Sequence, residues 1–243
     1  MRALPIQPTL VDQVYEAILS EISAGKLSPE GRVIQEELAE TLGVSRQPVQ
    51  QALLLLKRQG LLRDAPGRGL MVTPLDVDYV RSLYEIRAVL DGLASANAAK
   101  RGREAARREG PAYIDRGRAA VASRSIARMI TTDMDFHFFL YGLSGNPLIA
   151  EVSSVHWSYL RRVMGEVLLR GETPTDIWDQ HAAILDAIMA GKSDEAERLA
   201  REHISHASQT LTRRLMEDQK AARPPNAKRA RSPKQRRPRT TTP

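Results

Sequence analysis

Apolar residues open the chain at three- and four-residue steps. Val11, Val14, Ile18 and Ile22 lie on one face of a helix that begins near Leu10. "SAGKLSPEG" breaks it with Gly and Pro. A short helix, "QEELAETLG", follows and stops at Gly43. The next stretch is "VSRQPVQQALLLLKRQGLL", in which Val49, Ala52, Leu53 and Leu56 form a core stripe. Ser45 is a natural N-cap, Pro48 falls in the first turn where its missing N–H is tolerated, and Gly60 is placed to end the helix. Beyond it, "GLLRD" and "GLMVTP" flank "APGRG", two short apolar runs that predict a hairpin with Arg68 at its tip. In this order the elements predict a winged helix-turn-helix unit over residues 1–74.

From Pro74 onward there is no clear strand signal. Val80, Leu83, Ile86, Val89, Leu90 and Leu93 recur at helical spacing. Residues 100–128 are rich in Arg and Ala, and "GPAYIDRG" is expected to interrupt any helix there. Further helices are predicted over "TTDMDFHFFLYGL", "LIAEVSSVHWSYLRRVMGEVLLR", "DIWDQHAAILDAIMAG" and "SDEAERLAREHISHASQTLTRRLMEDQ". Gly191 is the stop between the last two, and Ser193 or Asp194 the N-cap that follows. The fold class is mainly α, with an all-helical bundle of about six helices over residues 78–218.

Composition changes this picture in two respects. The net charge of +7 suggests a nucleic-acid partner, but nine of the 36 Lys and Arg fall in residues 219–243, which hold no acid. The 27 that remain face 29 acids, so residues 1–218 carry a net −2. The basic tail, rich in Pro and Arg and without apolar periodicity, is expected to be disordered and to add salt-sensitive attraction to phosphate or simply solubility. Cysteine is absent, so disulfides are excluded and a metal site must use His, Asp or Glu. No run of about 18 apolar residues predicts a membrane span, and the opening "MRALPIQPTL" lacks a signal-peptide apolar region, so a cytoplasmic protein is expected.

Two pieces of chemistry stand out. Arg46, Gln47, Gln50 and Gln51 lie at the N-terminal end of the third helix, off its core stripe. Arg and Gln pair bidentately with guanine and adenine edges, and helix-turn-helix proteins place this end of the second motif helix in the major groove. The other is "DMDFHFF". Asp133 and His137 are four apart and share a helix face, while Asp135, two residues before the histidine, lies roughly 200° around the helix. His181 and His203 sit about equally far from the turn near Gly191, hence at nearly the same height on two antiparallel helices. His206 is a turn further out, and His156 has no partner spacing. One carboxylate and three imidazoles suit a divalent cation, Zn²⁺ first, with Ni²⁺, Mn²⁺ or Fe²⁺ as alternatives, and leave one or two positions open. An Asp–His pair at this spacing also arises without any metal, so a bundle without a cation stays open on spacing alone.

"LAETLGVSRQPVQQAL…GLL…PGRG" resembles the DNA-binding domain of the GntR family of bacterial transcription regulators. The resemblance implies a DNA contact for Arg46 and identifies Gly69 as the wing glycine. Gln50 stands where that family typically has a second arginine, which implies a different operator and weaker, less salt-dependent binding. "YEIRAVLDGLA", "DMDFHFFLYGLSGNPLI" and "DQHAAILDAIMAGKSDEAERLAREHI" resemble the FadR C-terminal ligand-binding domain of one GntR subfamily. Its metal-binding members imply Asp133, His137, His181 and His203 as ligands, an organic acid as effector, and Arg87 in the effector pocket. Asp91 stands where Glu is commoner. The expected function is a homodimeric, cytoplasmic DNA-binding regulator, a repressor in the first instance, whose affinity for double-stranded DNA responds to a small carboxylate. Alternatives are a regulator whose metal-free C-terminal domain only dimerises, and a helical metal-dependent hydrolase. Against the latter, Glu202 is one residue from His203, so it points about 100° away along the helix.

Overall fold

The computed structural model describes residues 8–27, 31–170 and 176–221. The basic tail predicted from 219 therefore lies, from residue 222 on, outside the described residues. Helix α1 (Leu10–Ser23) starts with a capping box in which Thr9 and Asp12 bond each other's backbone N–H. Helices α2 (Gln35–Leu42) and α3 (Arg46–Arg58) are joined through Gly43, whose φ of 65° allows the tight turn. Ser45 occupies the N-cap position of α3 as expected, but its side chain makes no capping bond. Val14, Ile18 and Ile22 pack against Val49, Leu53 and Leu56. The predicted hairpin is β2 (Leu62–Asp64) with β3 (Leu70–Val72), and a third strand, β1 (Arg32–Val33), pairs with the other edge of β3 to give the order β1-β3-β2. Two residues are too few for periodicity to reveal, so β1 had no sequence signal.

Six helices follow: α4 (Val77–Arg101), α5 (Arg103–Ala122), α6 (Ile126–Leu143), α7 (Pro147–Arg170), α8 (Ile177–Ala190) and α9 (Ser193–Ala221). The interruption expected at "GPAYIDRG" does not occur, since α5 runs through Gly110 and Pro111. Pro111 removes one backbone hydrogen bond, but the helix is held by burial of Ala106, Ile114 and Ala120. Gly117 serves close packing there, because a Cβ at that position would come within 2.1 Å of the Trp178 ring. Helix α9 starts at Ser193, so neither Ser193 nor Asp194 is its N-cap, and the Ser193 hydroxyl instead donates to the Ala96 carbonyl at 3.2 Å. The helix also continues through Ala221, past the predicted end of the bundle at 218.

The apolar spacing along α4 proves to be two faces merged. Val80, Leu83 and Tyr84 are buried, with Arg87 and Asp91 on the same inward side. Ile86, Val89 and Leu93 are 42–53% exposed. Ile86 and Leu90 share a crevice with Ser153 and His156 of α7, near the exposed Val152 and Val155.

Helix α7 joins the winged unit to the bundle. The Tyr15 and Ser158 hydroxyls are 2.6 Å apart, and Arg161 Nη1 meets Glu16 Oε2 at 2.5 Å. Gly165 lies under the end of α1, where an added Cβ would stand 2.0 Å from the Ser23 carbonyl oxygen. No helix among the described residues is long and apolar enough to cross a membrane.

Candidate functional site

At the start of α3 the core stripe turns inward and leaves Arg46, Gln47, Gln50 and Gln51 exposed. Gln35 Nε2 donates to the Arg46 carbonyl at 2.9 Å, which ties α2 to this end of α3. Arg46 Nη1 lies 3.3 Å from Glu36 Oε1, an exposed pair that solvent screens. Arg68 is exposed in the β2–β3 turn, beside Gly67 and Gly69 with φ of 94° and 95°. The residues read as DNA-facing are thus each exposed and have no competing core role.

Deep in the bundle, α6 brings His137, α8 brings His181 and α9 brings His203 together, while Asp133 of α6 stands at the edge of this group, near His137 and His181 but outside the set of mutually close ligand atoms. One ring nitrogen from each histidine lies within 4.8 Å of the others, and all three residues are buried. His181 Nε2 and His203 Nε2 are 3.1 Å apart. Asp133 Oδ2 is 3.8 Å from His137 Nε2, and its Oδ1 is 3.7 Å from His181 Nε2. Asp135 is exposed on the far side of α6, and neither His156 nor His206 belongs to the cluster.

Partners behind His137 and His203 set which of their nitrogens faces the centre, whereas His181 Nδ1 is buried without a hydrogen-bond partner among the described residues. Asp91 Oδ1 accepts from His137 Nδ1 at 2.6 Å, so His137 Nε2 is left bare, buried and without a hydrogen-bond partner among the described residues. Gln180 Oε1 accepts from His203 Nδ1 at 2.9 Å and likewise frees Nε2. Tyr141 donates to the second Asp91 oxygen at 2.9 Å. This is how metal-ligating histidines are commonly oriented. Ligands about 2.1 Å from a cation are separated by roughly 3.0–3.4 Å in octahedral or tetrahedral arrangements, close to the 3.1 Å between His181 and His203. The donor set and the orphaned nitrogen therefore fit a borderline divalent cation.

Electrostatics agree. Burial, then the neighbouring histidines, hold His181 and His203 well below the usual imidazole range, so both are neutral and able to ligate. Burial alone would raise the Asp91 carboxyl, but His137 and Arg87 outweigh it and hold it below its ordinary value. Burial opposes the Arg87 charge, and Asp91 and the nearby tyrosines more than restore it. Burial pushes the Tyr84 hydroxyl up to about 12, so it remains a neutral donor.

A cavity of about 390 Å³ opens beside this cluster, with Arg87, Asp133 and His203 in its wall. Arg87 is only 6% exposed. Its guanidinium lies 4.4 Å from the Trp157 ring centroid, and its Nε is 3.6 Å from Asp91. Nε and Nη2 are buried and have no hydrogen-bond acceptor among the described residues, with only the Asp91 carboxylate near Nε, so the guanidinium keeps hydrogen-bonding capacity beside the cavity that it lines. The orienting roles of Asp91, Gln180 and Tyr141 escape sequence reasoning. Their only trace is spacing, since Asp91 is four after Arg87 and Tyr141 four after His137.

Comparison with known proteins agrees with the architecture. Residues 82–206 match the FCD domain, and residues 10–72 match the bacterial regulatory proteins of the gntR family. An uncharacterized HTH-type transcriptional regulator of Mycobacterium tuberculosis is 40% identical over 88 residues, a stretch that spans 36% of this chain and only 36% of that relative. The HTH-type transcriptional repressor RspR of Escherichia coli K12 is 23% identical over 207 residues, 85% of this chain and 90% of that one. Among solved structures, E. coli McbR/YncC superposes with a TM-score of 0.75 at 21% identity, covering 86% of this chain and 99% of that one. A GntR regulator from Rhodococcus sp. RHA1 gives 0.66 at 23% identity, covering 83% and 96%. At such identities the structural likeness speaks for the fold alone.

Proposed function

The chain belongs to the FCD-domain family and opens with a gntR-family helix-turn-helix, and on that premise we propose that it is a DNA-binding transcription regulator whose operator affinity is set by an organic acid held at a metal centre. In this reading residues 1–74 are the DNA-binding unit, residues 78–218 the sensing and dimerising unit, and residues from 219 a basic tail that adds attraction to phosphate. The observation that supports it best is the group of three buried imidazoles, His137, His181 and His203, set against a cavity whose wall holds His203, Asp133 and Arg87. A bound cation, Zn²⁺ or another borderline ion, supplies an open coordination position for a carboxylate. Arg87 takes the acid's second oxygen, Asp91 keeps His137 in register, and Trp157 covers the guanidinium.

Arg46, Gln47, Gln50 and Gln51 read the major groove, while Arg68 and the turn at Gly69 meet the phosphate backbone. Replacing Arg46 with alanine is expected to weaken operator binding by about 1–3 kcal/mol and to relax base preference at one position per half-site. A gel-shift series on single-base operator variants reads both effects. Uniform weakening on every sequence would reassign Arg46 to the backbone.

A two-fold operator asks for two heads about 34 Å apart. The exposed Ile86, Val89 and Leu93 on α4, beside Val152 and Val155 on α7, supply an apolar face for a second copy of the chain. Helix α7 provides the path from sensor to head. Met164, Val167 and Leu168 line the cavity, while Ser158, Arg161 and Gly165 hold α1. An acid that favours one position of α7 changes the presentation of the heads. Titrating labelled operator with candidate acids on the metal-loaded protein tests this. Operator affinity unchanged by every acid would remove the effector from the function. The family is one of regulators and not of enzymes, and Glu202, the carboxylate beside His203, is exposed and paired with Arg198 at 2.7 Å.

A further inference from the structure

The cavity beside the histidines is larger than one small acid requires. Helix α9 faces it with His203, His206, Ala207, Thr210, Leu211 and Arg214, at helical steps. From His203 to Arg214 is eleven residues, about 16 Å along the axis. Its volume of about 390 Å³ falls among cavities that take ligands well beyond a two- or three-carbon acid, roughly 300–1,000 Å³.

The chemistry changes along this length. At the inner end stand Asp133, His203 and Arg87. The middle is apolar, walled by Met129, Met164, Val167, Leu168 and Leu211. The outer end is cationic, with Arg213 and Arg214 beside Thr210. Arg214 is half-buried and has no ion-pair partner among the described residues. Arg213 makes only a 3.8 Å contact with Glu217 through Nη1. The two carboxylates in the wall do not cancel this charge. Asp133 faces the histidines, and Asp176, at the start of α8, accepts from Gln180 Nε2 at 3.2 Å.

We propose that the effector is an elongated dicarboxylate with an apolar body, one end held at the metal centre and Arg87, the other by Arg213 and Arg214. This rests on the reading of the inner end as a carboxylate site. Two separated cationic ends joined by an apolar wall select against short acids, which leave the wall unfilled, and against monoacids, which leave the outer arginines unanswered. Each methylene added within the apolar stretch is expected to tighten binding about fourfold, or about 0.8 kcal/mol. The second carboxylate is expected to add about tenfold, an exposed arginine pair contributing less than a buried one.

The test uses the metal-loaded full chain and the fluorescence of Trp178, which lines the cavity, and of Trp157, which stacks on Arg87. Acetate, succinate, adipate, suberate and dodecanedioate are titrated alongside the monocarboxylate of equal length for each diacid. The same series is run on the Arg213→Gln/Arg214→Gln double variant, with metal content and circular dichroism confirming an intact fold. The expected result is affinity rising with length to an optimum, a diacid preference of about tenfold near it, and loss of that preference in the double variant while octanoate binding is unchanged. Acetate binding as tightly as suberate, or a diacid preference that survives in the double variant, overturns the elongated ligand but leaves the carboxylate site standing. No binding of any acid overturns both.

Discussion

Alanine in place of His181 is expected to leave the purified protein almost free of metal, where the wild type carries about one divalent ion per chain. His181 contributes the nitrogen 3.1 Å from His203 Nε2 and 3.7 Å from the Asp133 carboxylate, so its loss opens the middle of the ligand set. Elemental analysis after dialysis without chelator reads the result directly. Equal metal in wild type and variant would count against this ligand set. A graded variant guards against simple misfolding. Asp91→Asn keeps the volume of the side chain but weakens the acceptor behind His137, and is expected to lower metal affinity about 10–100-fold. Thermal melts with and without chelator complete the measurement. A ligand present at a thousand times its dissociation constant stabilises the fold by about 4 kcal/mol, so chelation should lower the melting temperature of the wild type and leave that of His181→Ala unchanged.

Gly165→Ala is expected to uncouple the DNA-binding unit from the sensor. The new Cβ would lie 2.0 Å from the Ser23 carbonyl oxygen, a backbone atom that cannot rotate aside. Helix α1 must lift from α7, which also loosens the Tyr15–Ser158 and Glu16–Arg161 contacts beside it. Overpacking of this kind costs about 1–3 kcal/mol. In a protein of this length each kcal/mol lowers the melting temperature by about 2–4 °C. The more telling readout is the operator titration, in which the acid-induced change in affinity should largely disappear while acid binding itself persists. A full response to acid in a protein with a lowered melting temperature would show that α7 is not the path.

Much of this architecture is legible in the sequence because its signals are local. The stripes of α1 and α3, the glycine turn between α2 and α3, and the Asp133–His137 spacing each follow from helical geometry over a few residues. The placement of His181 opposite His203 needs only a turn position and a rise per residue. What escapes depends on neighbours distant in sequence. Helix α5 survives Gly110 and Pro111 because Trp178 and the rest of its surroundings pack against it. β1 exists only as an edge partner of β3. Asp91 and Gln180 look like ordinary polar residues until the fold sets them behind His137 and His203. The single apolar pattern of α4 conceals two faces, since spacing alone does not say which neighbour each residue meets.

In the proposed dimer, that two-faced helix would tie the quaternary state to the proposed effector site. Arg87 lines the cavity while Ile86, one residue earlier, lies on the exposed apolar face proposed for a second chain. A displacement of Arg87 along or about the axis of α4 carries Ile86, Val89 and Leu93 with it. Coupling between binding events is reciprocal, so an acid that strengthens association of the two chains must itself be held more tightly by the associated pair. Sensitivity to the signal then becomes a function of how much of the regulator is present, and its abundance sets the threshold at which it responds.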